Sequence, residues 1–185
     1  MTWQTVCLND IQPTIWRNGG GTTRELVAWP QATVWQWRAS VAEVAQPGPF
    51  SSFLGVQRWF AVLHGDGVCL TIDGQMHSLT VNDAPLAFAG SCLTTCDLLG
   101  GATQDFNLMV QGSASARMLR VNGDYELITN APKFIAIYAS NTRANIQFVN
   151  EEHELLPFSF GWKLVQAGVS VQIVAADALF MEIDP

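Results

Sequence analysis

Val34-Trp35-Gln36-Trp37-Arg38-Ala39-Ser40-Val41 sets Trp35, Trp37, Ala39 and Val41 at one parity and Gln36, Arg38 and Ser40 at the other. Successive side chains of a strand point to opposite faces, so this octet predicts a β-strand with one polar face. The same reading extends outward. Arg58-Trp59-Phe60-Ala61-Val62-Leu63 is apolar almost throughout and predicts a central strand with Arg58 at its entrance. The run from Val68 to Val81 is broken by Asp73-Gly74, a dipeptide that accepts the positive φ values of a tight hairpin. Asp105-Phe106-Asn107-Leu108-Met109-Val110 reads as another strand, with Asp105 and Asn107 on one side. Gly112-Ser113-Ala114-Ser115-Ala116 is a connector of small residues, after which Phe134 to Ala139, Ile146 to Val149 and Val169 to Val174 are again strand-like. Short strands with closely spaced turns predict an all-β chain. A barrel is preferred, because closure removes exposed strand edges.

The composition bounds what such a fold can do. The 185 residues suit one domain or two small lobes, and 49% hydrophobic against 14% charged residues excludes disorder. Ten Phe and seven Trp imply a packed interior and an aromatic-lined cavity. A net charge of -7 opposes binding to nucleic acid or an anionic membrane, since no basic patch can replace phosphate counterions. Any bound anion must be held locally. Cys7, Cys69, Cys92 and Cys96 match neither a redox pair nor a zinc ribbon, so they read as reduced, mostly buried thiols. With no secretory pattern at Met1-Thr2-Trp3-Gln4-Thr5 and no apolar run long enough for a bilayer, a cytoplasmic location is expected.

Familiar catalytic patterns are absent from the sequence. His64, His77 and His153 form no His-x-His or His-Glu-x-x-His spacing, and Glu151-Glu152-His153-Glu154 reads as a solvated turn rather than a cation site. No metal and no cofactor are expected. There is no Gly-x-Ser-x-Gly elbow. A buried Asp105 can serve as a base, because desolvation raises a carboxylate pKa; pairing with an arginine or accepting backbone amides is the structural alternative.

Trp16-Arg17-Asn18-Gly19-Gly20-Gly21-Thr22-Thr23 fails both nucleotide signatures: no Gly-Lys-Ser/Thr follows, and the third glycine of Gly-x-Gly-x-x-Gly falls on Arg24. Its glycines can turn successive N–H groups toward an oxygen, with side-chain donors from Asn18, Thr22 and Thr23; the alternative is a plain turn. Arg38 and Arg58 lie in otherwise apolar strands, where an unpaired guanidinium is costly. Their partners are Asp105 or Glu43, or a ligand carboxylate that matches the guanidinium at two points.

Four ordered blocks bear on ancestry. They are Trp16 to Glu25, Trp37-Arg38-Ala39-Ser40-Val41-Ala42, Gly48-Pro49-Phe50-Ser51-Ser52-Phe53 with Gly55 and Arg58, and Asp105-Phe106-Asn107-Leu108-Met109. Together they resemble the HutD/Ves family of bacterial cupin-like proteins over most of the chain. The resemblance implies an RmlC-like double β-barrel, a bicupin in one chain, with a metal-free pocket. The lobes are expected at 1–118, larger and carrying the pocket, and 119–185. HutD proteins belong to histidine utilisation, where they limit pathway activity by binding an intermediate of the formylglutamate or urocanate class; Ves-like relatives are associated with cold or stress response. The expectation is a non-enzymatic protein binding a small carboxylate. Arg58 is its main anion partner and Arg38 lines the same cavity. Asn18, Gly19, Gly20, Gly21, Ser51 and Asn107 orient the ligand, and Trp16, Phe50 and Phe106 form apolar walls. The alternatives are a metal-independent cupin enzyme with Asp105 as base, and a stress-related regulatory module acting by protein contact. A homodimer is compatible with either.

Overall fold

The computed structural model describes residues 2–185, and apart from one 3-10 turn, Leu8–Asp10, its regular elements are β-strands. The chain divides into two compact units. One is Ile11–Ser113; the other is Ala114–Pro185 joined by the N-terminal segment through Asp10. Among the described residues no helix is long and apolar enough to cross a membrane.

The unit Ile11–Ser113 contains two sheets. The six-stranded sheet runs in the order Thr14–Ile15, Gly21–Gln31, Val34–Val44, Thr103–Gln111, Val56–His64, Leu86–Ala89. The four-stranded sheet runs Gly48–Pro49, Thr94–Leu98, Val68–Ile72, Gln75–Leu79. The strand Val56–His64 is paired on both sides, as its apolar sequence predicts, and Arg58 stands inside it, buried, rather than at its entrance. Asp73 and Gly74 make the expected hairpin turn with φ of 46° and 84°. Phe60, Val62, Val68, Leu70 and Phe88 form the apolar core of this unit, with Trp16 and Phe50 packed against it.

The other unit is built on one seven-stranded sheet, in which the long strand Ser170–Asp184 pairs with Ser115–Ile128, Lys133–Ala139 and Ala144–Phe148. Its interior is aliphatic and aromatic, including Ile135, Ile137, Ile146, Ile173 and Phe180. Two sequence expectations change here. The proposed connector ends sooner, because Ser115 already pairs with Asp184. Gln4–Cys7, counted with the first lobe, pairs antiparallel with Ser159–Val165 and so joins the second unit. The reason is physical: a four-residue strand that covers a sheet edge far along the chain leaves no local pattern to betray its partner. Glu151 to Glu154 is likewise a strand rather than a turn, with Glu151 bonded to Lys163 and His153, and Glu154 to Arg143.

A two-arginine cavity in the first unit

Strand alternation determines which side chains share the inner face of the six-stranded sheet. On Val34–Val44 the even residues Arg38, Ser40, Ala42 and Val44 line a cavity of about 840 Å³. Register carries the same face to the neighbouring strands. Asn107 stands between Ser40 and Phe60, and Met109 between Arg38 and Arg58. Glu25 continues the row beyond Ser40. Arg17, Asn18, Phe50, Ser51 and Phe53 close the remaining walls. The volume lies in the range of small-molecule sites, about 300–1,000 Å³.

Arg58 is the most constrained group. It is only 5% exposed, and one terminal nitrogen donates to Asn107 Oδ1 at 2.8 Å while Nε has no hydrogen-bond partner. Among the described residues no carboxylate is within ion-pair distance of it. Its guanidinium carbon sits 5.0, 5.8 and 5.2 Å from the rings of Phe50, Phe53 and Phe88. The aromatic faces compensate part of the lost hydration. Burial, helped by the nearby charge of Arg38, lowers its pKa to about 10, so the group remains a cation at neutral pH.

Arg38 is held differently. Its partner is Glu25, with Nη1 to Oε2 at 3.6 Å, and its guanidinium lies 5.5 and 5.8 Å from Trp35 and Phe53. This corrects the two partners expected from the sequence. Glu43 is an odd residue on the same strand, so it points to the opposite face and is exposed. Asp105 lies four residues, roughly 13 Å of strand, from the Met109 level at which Arg58 sits. The Asp105 carboxylate instead accepts a 2.7 Å bond from the Thr103 hydroxyl, is fully buried, and does not line the cavity. Burial pushes its carboxyl up to about 7, partly offset by that bond.

Of the sequence-nominated residues, the cavity brings together Trp16, Asn18, Arg38, Phe50, Ser51, Arg58 and Asn107. Phe106 is excluded by parity: it adjoins Asn107, faces the other side of the sheet and is completely buried. Gly19, Gly20 and Gly21 do not line the cavity either, because their backbone is used in forming its wall. Gly19 N–H bonds Trp16 O, Gly20 N–H bonds Asn18 Oδ1, and Gly20 O accepts the amides of Ala45 and Gln46. Gly19 has φ of 71°, and a Cβ on Gly21 would collide with the Glu43 carbonyl oxygen and the Trp16 ring. Glycine is needed there for turn and clearance. The residues that sequence reading missed were reachable by parity: accepting Arg38, Asn107 and Arg58 inward also commits Ser40, Met109 and Phe60. Phe53 and Glu25 had no such signal.

Barrels of this size often carry a metal at the mouth. The donor set here does not fit one: the charged lining groups are Arg17, Arg38, Arg58 and Glu25, with no histidine or cysteine. Three cations face one carboxylate that is already paired. Among the described residues no cluster of three His, Cys, Asp or Glu can hold an ion. The four cysteines are free thiols, Cys96 alone being buried, where burial and the nearby Asp105 carboxylate push its pKa to about 12.

Curled sheets of this topology define a cupin-like, all-β protein. An oxalate decarboxylase of Bacillus subtilis shares the fold at 8% identity, with a TM-score of 0.67 over 97% of this chain and 76% of that one. The model of the HutD family matches residues 8–180, and the chain belongs to that family. It is 33% identical over 144 residues to a 21.2 kDa protein in the hutC 3′ region of Pseudomonas putida, covering 76% of this chain and 75% of that protein. It is 37% identical over 110 residues to protein Ves of Citrobacter koseri, covering 58% and 57%. The structure of HutD from Pseudomonas fluorescens SBW25, in a formate condition, superposes with a TM-score of 0.84 at 26% identity, covering 98% of both chains.

Proposed function

We propose that the cavity binds a small carboxylate, with Arg58 as the anchoring cation, and that the protein acts in histidine utilisation by sequestering a pathway intermediate of the formylglutamate or urocanate class. The observation that carries this reading is the state of Arg58: a guanidinium 5% exposed at a cavity wall, with a buried Nε that has no hydrogen-bond partner and with no internal counter-ion. Burying an uncompensated charge is expensive, and a ligand carboxylate removes that cost by pairing at two points. Asn107 holds one terminal nitrogen of the guanidinium, leaving the other terminal nitrogen for the ligand. The pathway assignment draws on HutD family membership, on the relative in the hutC 3′ region and on a HutD structure in a formate condition, formate being the simplest carboxylate. A cytoplasmic location, consistent with the four free thiols, belongs to the same reading.

The test is a thermal-shift panel of histidine-pathway intermediates, formate and dicarboxylates, run on wild type and Arg58→Ala. A ligand at a hundredfold excess over Kd stabilises the native state by about 2.7 kcal/mol. Arg58→Ala is expected to fold and to lose that shift. An equal shift in the variant removes Arg58 from the site.

A further inference from the structure

The two cavity arginines are in unequal states, and the inequality carries information about the ligand. Arg58 is buried and lacks a carboxylate, whereas the Arg38 side chain is 24% exposed and already faces Glu25, itself 42% exposed. The Glu25–Arg38 contact is a single 3.6 Å approach, too long for a good hydrogen bond. Exposed pairs of this kind change an equilibrium by at most about fivefold. A ligand carboxylate that meets Arg38 with both oxygens makes the stronger contact. Arg38 and Arg58 flank Met109 on alternate strands, so their backbones lie roughly 10 Å apart, and both guanidiniums lie 5.8 Å from the Phe53 ring. Both guanidiniums therefore lie against the same ring. A dicarboxylate offers one acidic group to each of these cations.

Building on the carboxylate reading above, we infer that Glu25 is a selectivity residue: it occupies Arg38 in the free protein as an internal competitor, and the second carboxylate of a dicarboxylate ligand displaces it once the first is on Arg58. A monocarboxylate takes Arg58 alone and leaves the Glu25–Arg38 pair intact. Glu25 thereby sets how strongly the cavity prefers two acidic groups over one.

Glutarate and its half-amide, glutaramate, test this, since they share a shape and differ by one carboxylate. Calorimetric titration of the whole chain gives the affinity ratio of the two in wild type, Glu25→Gln and Arg38→Gln. The ratio is expected to favour glutarate in wild type, to rise about fivefold in Glu25→Gln as competition is removed, and to collapse toward unity in Arg38→Gln. An unchanged or reduced ratio in Glu25→Gln overturns the inference. If glutaramate still binds in an Arg58-dependent manner, the carboxylate reading survives that failure. If neither compound binds wild type, both fall together.

Discussion

The two β units treat buried charge in opposite ways. In Ala114–Pro185 and its N-terminal strand, buried or half-buried cations are matched: Lys133 lies 3.0 Å from Glu182 and 3.4 Å from Asp184, and Arg120 lies 3.0 Å from Asp177. The interior beside them is closed with Ile135, Ile137 and Phe180. In Ile11–Ser113, Arg58 has no acidic partner within the described residues, and Asp105 has only the Thr103 hydroxyl, with Oδ1 unsatisfied. A curled sheet can therefore make either a core or a site. The difference lies in a few inward positions where charge has no internal partner, which costs stability.

That contrast can be attacked where it is largest. Asp105 titrates near 7 in the fold against about 3.8 for an ordinary aspartate, so its carboxyl stays protonated in the native state while the unfolded chain ionises. Below pH 4 it has no effect on stability; as pH rises from 4 to 7 the native state loses about 4 kcal/mol, and above 7 the loss is complete. Asp105→Asn removes this dependence. Its melting temperature minus that of wild type is expected to climb between pH 4 and 7 and then level; parallel curves contradict an uncompensated carboxyl. In the second unit, Ile137 is wholly buried, and Ile137→Ala is expected to cost about 3 kcal/mol by chemical denaturation while leaving carboxylate affinity unchanged. A proportionate loss of affinity would make the two interiors one system. The subtlest change turns the site into a core: Arg58→Met exchanges the buried cation for an apolar chain, and is expected to raise the stability of the ligand-free protein by about 1–3 kcal/mol while erasing its carboxylate response. A destabilised variant would mean that Arg58 supports the fold rather than awaiting a partner.

Parity made much of the fold legible. The alternation in Val34 to Val41 and the apolar run from Arg58 to Leu63 assigned two of the sheet's strands, and Asp73-Gly74 fixed a hairpin. At the site, parity divides residues that the sequence blocks group together. Phe106 and Asn107, adjacent on one strand, face opposite sides and cannot share one cavity, and the same alternation separates Glu43 from Arg38. Other features had no local trace. Glu25 reaches Arg38 after a register shift between Glu25 and Val27, and the pairing of Gln4–Cys7 with Ser159–Val165 depends on contacts far apart in sequence. A pattern reports which face a residue takes, but not which distant strand lies beside it.

The turn from Trp16 to Gly21 bears on timing. Its amides and carbonyls are bonded to one another, and the Gly20 carbonyl is clamped by Ala45 and Gln46 at 2.9 and 3.1 Å. The turn is thus tied by backbone bonds both within itself and to the chain leaving the strand Val34–Val44. For a carboxylate binding as proposed, capture at an already formed mouth gives an observed rate that climbs linearly with concentration.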